Sequence, residues 1–141
     1  MTSAISEKIT DKVAVLKYTQ ILCNALEHDF IVYSMKMHNR SIESGQDVEY
    51  HQQKLDDIAE GNYDGMYKYT IEEGKKYLKI TMNRDDNGRS VHAFVNKESG
   101  EVYKPKSWFA PAPHVRFNLL DEQSREECLK LADWAGSYLY M

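Results

Sequence analysis

The sequence predicts an α+β fold in one domain: an antiparallel β-meander of three to five strands packed against N-terminal and C-terminal helices. Three observations predict it. Between residues 66 and 104 apolar and polar letters alternate with period two, in runs separated by short Gly-bearing turns. Residues 6–27 contain neither Gly nor Pro and carry apolar letters three and four apart, the helical spacing. All three prolines fall within nine residues, at 105, 111 and 113, and separate the meander from a second helical stretch.

Each element follows from its local chemistry. Residues 6–27 read as the first helix, with Ile9, Val13, Leu16, Cys23 and Leu26 on its buried side and Glu7 and Asp11 near its positive end. Residues 29–37 carry FIVYSMKM and are too short for periodicity to choose between a strand and a continued helix. Residues 39–46 read as a loop. A second helix is expected over 47–60, burying Val48, Leu55 and Ile58 and stopping at Gly61. Residues 61–65 are a connector.

In the meander, Tyr67, Tyr69 and Ile71 alternate with Lys68 and Thr70. Leu78, Ile80 and Met82 alternate with Tyr77, Lys79 and Thr81, and Val91, Ala93 and Val95 with Ser90, His92 and Phe94. Turns are expected at 72–76, at NRDDNG (83–88) and at NKESG (96–100), which leads into 101–104. Strict alternation puts Leu78, Ile80, Met82, Val91, Ala93 and Val95 on one apolar face for the helices to cover. Lys79, Thr81, His92 and Phe94 then share the other. KPKSWFAPAP reads as a stiff extended loop. A last helix over 121–135 would be capped by Asp121, bury Leu120, Cys128, Leu131 and Ala135, and end at Gly136. The apolar tail SYLYM suits docking on the body or on a neighbouring subunit of a homo-oligomer. The chain thus divides into a mainly helical part (1–65), the meander with its Pro-rich loop (66–118), and a C-terminal helix with tail (119–141).

Composition excludes several classes. At 42% hydrophobic and 28% charged residues over 141 positions, the chain has ordinary globular content. No apolar run approaches the roughly 20 residues of a membrane span, and the N-terminus lacks the pattern of a secretory signal. Cys23 and Cys128 read as buried or half-buried thiols of a reducing compartment, which implies the cytosol. There is no Walker loop, GxGxxG, GxSxG or HExxH, and the histidines at 28, 38, 51, 92 and 114 follow no metal spacing. No cofactor, metal or catalytic residue is implied.

Charge is uneven. Residues 66–117 hold ten Lys/Arg against six Asp/Glu, while the rest holds eight against sixteen. A basic middle on an acidic chain of net charge −4 suits a localised anion-binding surface. The stretch from Lys104 to Asn118 combines Lys104, Lys106 and Arg116, the adjacent pair Trp108 and Phe109, and His114. Cations attract phosphate, Arg does so bidentately, and an indole stacks on a base at roughly 1–3 kcal/mol. The candidate ligand-binding set is therefore His92, Phe94, Lys104, Lys106, Trp108, His114, Arg116 and Asn118. The competing reading makes Trp108 and Phe109 plugs of the core edge and the lysines mere solubilisers.

The segments VHAFVNKESGEVYKP, SW-x-AP, VRFNLLD and ADWAGSYLY, with the YLKI strand before them, resemble a family of small tailed-phage accessory proteins, including those of marine cyanobacterial phages. The resemblance covers residues 75–141. It implies phage origin and an accessory role in the cytoplasm of the infected bacterial host, and no particular reaction. With it, the expected function is non-catalytic binding of a small anionic nucleotide-type ligand, as in sequestration of a host immune signal. A nucleic-acid or host-polymerase interaction module is the second expectation. The acidic remainder argues against broad DNA binding, which needs many phosphate contacts. A small phosphodiesterase using His92 and His114 is the third.

Overall fold

The computed structural model describes residues 4–85 and 88–140. In order they form α1 (Ala4–Glu43), α2 (Val48–Ala59), β1 (Lys68–Glu73), β2 (Tyr77–Asn83), β3 (Arg89–Asn96), β4 (Glu101–Tyr103), β5 (Phe117–Asn118), α3 (Glu122–Leu131) and a single 3-10 turn (Ser137–Leu139). The five strands pair in sequence order, every pair antiparallel. The fold is α+β, with helices before and after the sheet. No helix among the described residues is long and apolar enough to cross a membrane.

One helix of 40 residues, roughly 60 Å long at 1.5 Å per residue, replaces the predicted helix, ambiguous segment and loop. Residues 29–37 are helix, and so are 39–43. The polar letters there suggested a loop, but no Gly or Pro interrupts the chain before Gly45. At Gly45, φ is +75, Gly45 N–H donates to Ile42 O (3.0 Å) and Gln46 N–H to Ser41 O (2.9 Å). That is a Schellman stop, and the chain repeats it at Gly61 after α2, where Gly61 N–H reaches Ile58 O and Asn62 N–H reaches Asp57 O. The two helices are joined through His38 and His51, whose Nδ1 atoms lie 2.8 Å apart.

The side of α1 that meets the sheet also differs from the expected one. Val13 is 64% exposed and Leu16 is 46% exposed, and the side chain of Ile9 lies outside the described residues. The buried stripe is Val15, Thr19, Leu22, Cys23, Leu26 and Phe30, of which only Cys23 and Leu26 were expected. Thr19 hid the stripe in the letters. Its hydroxyl donates to Val15 O at 2.7 Å, so a polar residue fits the apolar seam. In α2, Ile58 is buried as expected but Val48 is exposed.

The stripe packs on Tyr69, Leu78, Ile80, Ala93, Val95, Val102 and Phe117 of the sheet, closed by Leu119, Cys128, Tyr138 and Leu139. Burial raises both cysteine thiols to about 12, so they serve as inert core groups. Asp121 caps α3 by accepting from Ser124 N, as predicted. The helix ends at Leu131, four residues early, leaving Leu131 and Ala135 exposed. The extended backbone at Ala132 lets Trp134 N–H reach Asp29 Oδ2 at 2.9 Å. The Trp134 ring joins Phe30, Tyr33 and Tyr67 at centroid distances of 5.0–5.7 Å. Tyr138 and Leu139 are buried in the chain's own core, so they offer no assembly surface; Met141 lies outside the described residues.

Candidate functional site on the open face of the sheet

The face of the sheet away from α1 is built by a bulge and a loop. β2 and β3 pair Ile80 with Ala93 but Thr81 with Val91, so His92 is an extra residue. The bulge exchanges two neighbours relative to strict alternation. Val91 joins Thr81 on the open side. His92 turns into the core, against the edge of the Tyr69 ring at 5.3 Å and with Nε2 2.8 Å from the Tyr138 hydroxyl. Burial lowers its pKa to about 4, against a weaker opposing pull from Asp133, so the imidazole is neutral at pH 7. His92 and Phe94 therefore do not share a face, contrary to the sequence expectation.

Beyond the bulge the open face carries one row of paired residues: Glu72 on β1, Lys79 on β2, Phe94 on β3 and Tyr103 on β4. Tyr77 stands edge-on to Phe94 (5.9 Å) and Tyr103 (6.1 Å). Residues 104–112 fold back as a closed loop. Ala112 N–H donates to Lys104 O (2.9 Å), Lys106 N–H to Ala110 O (3.0 Å), and Pro105 bridges Pro111. Closure carries Trp108 onto the row. Lys79 Nζ lies 4.1 Å from the Trp108 ring centre and 5.9 Å from that of Phe94, and the Arg89 guanidinium lies 5.1 Å from Trp108.

The result is an open groove of about 440 Å³, lined by the rings of Tyr77, Phe94, Trp108 and Phe109 interleaved with Glu72, Glu73, Lys75, Lys76, Lys79 and Arg89. Its volume lies in the range of small-molecule sites, roughly 300–1,000 Å³. Both carboxylates are neutralised: Glu72 by Arg89 at 2.6 Å, Glu73 by Lys97 at 3.7 Å. Among the described residues no ion pair holds Lys75, Lys76 or Lys79. Phe109, 86% exposed, stands at the mouth. Such a groove attracts anions and offers flat rings, and it contains neither a nucleophile beside a base nor an oxyanion cradle.

Of the eight residues expected from sequence, the groove unites Phe94 and Trp108. His92 is in the core. Lys104 is turned away, its Nζ 4.6 Å over the Tyr140 ring. Lys106 is exposed on the loop, and His114 is exposed at a left-handed φ of +78. Arg116 is half-buried; its N–H donates to Val102 O at 2.7 Å and its buried Nε has no hydrogen-bond partner. Asn118 accepts from Leu120 N at 2.8 Å, a turn-forming role. Sequence reasoning missed Lys75, Lys76 and Tyr77 as site residues. Lys79 was legible, because alternation already put it beside Phe94.

Among the described residues no group of three or more His, Cys, Asp or Glu could hold a metal ion. The chain belongs to a family of unknown function, DUF7717, whose model matches residues 2–141. No curated protein and no solved structure matches it.

Proposed function

We propose that this protein binds a small anionic nucleotide-type ligand, without chemistry, in the groove on the open face of the sheet. The observation that carries the reading is the pairing of Lys79 with Trp108: an ammonium without a carboxylate partner, 4.1 Å from an indole, inside a groove of nucleotide size. Lys75, Lys76 and Lys79 supply the charge for phosphate, and Phe109 and Tyr77 supply flat surface for a base. Histidine chemistry finds no support, because His92 is a neutral core residue while His114 stands on an exposed loop. The setting we propose, on the resemblance over residues 75–141, is a phage accessory protein that sequesters a host signalling nucleotide.

The test is calorimetric titration of the intact protein with AMP, ATP, ADP-ribose, a cyclic dinucleotide and a generic single-stranded oligonucleotide. Saturable binding of a nucleotide, weakened about tenfold by Lys79→Ala or Trp108→Ala, is expected. Recovery of the nucleotide intact after heating the complex would agree with sequestration. Binding confined to the oligonucleotide, and lost between low and moderate salt, would favour a nucleic-acid module instead.

A further inference from the structure

We infer that the ligand carries a chain of at least two phosphoryl groups, whose far end lies in a second groove across the β1–β2 turn. The inference rests on the nucleotide-binding reading of the first groove. Lys75 and Lys76 line both grooves, so the turn around Gly74 is the ridge between them. The second groove, about 150 Å³, is completed by Lys12 from α1 and by Asn96, Lys97 and Glu98 from the β3–β4 turn. Four of its six lining residues are lysines. At roughly 30 Å³ per water it has room for about five waters, enough for a hydrated phosphoryl group.

Its charges are differently employed. Lys97 is structural: Nζ donates to Gly74 O at 2.9 Å and pairs with Glu73 at 3.7 Å, which holds the ridge in shape. Lys12 is the adjustable one. It reaches from the other layer of the fold to the largely exposed Glu98 carboxylate at 3.7 Å, an open contact that an incoming phosphate can displace. A nucleoside monophosphate seated on the rings would end at Lys75 and Lys76. A diphosphate or triphosphate would continue over the ridge to Lys12. Rings at one end and lysines beyond the ridge favour a nucleoside polyphosphate over a bare polyanion.

The experiment compares AMP, ADP, ATP, inorganic tripolyphosphate and the dinucleotide pApA on wild-type protein, Lys12→Ala and Lys12→Arg, with thermal melting as the folding control. ATP should bind about tenfold more tightly than AMP. Lys12→Ala should remove most of that advantage while leaving AMP affinity unchanged, and Lys12→Arg should restore it. Tripolyphosphate should bind more weakly than ATP because it forgoes the rings. If pApA outcompetes ATP, the second phosphate belongs to a phosphodiester and the anhydride assignment is wrong. Equal affinity for AMP and ATP, or an ATP advantage that survives Lys12→Ala, would overturn the second subsite and leave the first groove standing. No binding of any nucleotide would overturn the functional reading itself.

Discussion

The two tryptophans mark the two faces of the sheet, and their surroundings differ in kind. Trp134, on the α1 side, is locked among three aromatic rings, and its backbone N–H is held by Asp29. Trp108, on the open side, touches cations instead: Lys79 and Arg89. Polar groups on the inner side find partners within the chain, as His92 does with Tyr138, Thr19 with Val15 O and Tyr69 N–H with Glu27. The open side leaves three lysines without carboxylates beside the half-buried Tyr77 and Trp108 and the exposed Phe109. A surface that satisfies itself serves stability, whereas one whose cations lack carboxylates is the surface on which the proposed binding rests.

The comparison breaks most readily on stability. Leu22→Ala, which empties a fully buried position between α1 and the sheet, should destabilise by about 3 kcal/mol in urea unfolding. A loss below about 1 kcal/mol would mean the α1 layer is not the core. Acid should act on the same side to a similar extent. His92 has its folded pKa depressed to about 4 from 6.5, so the unfolded chain binds the extra proton between those values. Stability should hold above pH 6.5 and fall by roughly 3 kcal/mol as pH drops toward 4. A His92→Phe variant that keeps the same decline would show that another group is responsible.

On the open side the largest effects should be on binding. Trp108→Ala and Lys79→Ala should each weaken nucleotide affinity about tenfold while changing stability by less than about 1 kcal/mol. If either variant unfolds the protein with binding per folded molecule intact, the open face is structural. At the α1–α2 hairpin, burial, His51 and Lys54 together lower the His38 pKa. Acidification should therefore loosen the hairpin as the His38–His51 hydrogen bond is lost, seen as faster amide exchange in α2 with little change in the global midpoint. Smallest of all, Phe109→Ala should leave stability within about 0.5 kcal/mol, because the ring is almost wholly exposed.

Much of the meander was legible, because each strand alternates and the turns between β1 and β2 and between β3 and β4 carry Gly74 and Gly100. The β2–β3 turn is also set by Gly88, although residues 86–87 lie outside the described part. What escaped depended on distant partners. The buried seam of α1 was masked by Thr19, whose hydroxyl is satisfied within its own helix. The continuation of α1 through 39–43 depends on a stop at Gly45 that outweighs the polar letters before it. The bulge at His92 has no local signature, since the residue that settles it, Tyr138, lies 46 positions away. Half of the site was hidden for a related reason. The cations that meet Trp108 come from β2 and β3, not from the basic residues beside it in the chain, because loop closure at Pro105 and Pro111 turns the indole back over the sheet.

The central claim is that the open groove receives the base and the first phosphoryl group of the ligand. Amide and indole chemical-shift mapping of the 15N-labelled protein during titration with AMP tests it most directly. Shifts concentrated at residues 74–79, at Phe94 and at the Trp108 indole N–H, with Trp134 unmoved, are the predicted result. Shifts centred on the exposed flank of α1 around Val13 and Leu16, or none at saturating nucleotide, would contradict it.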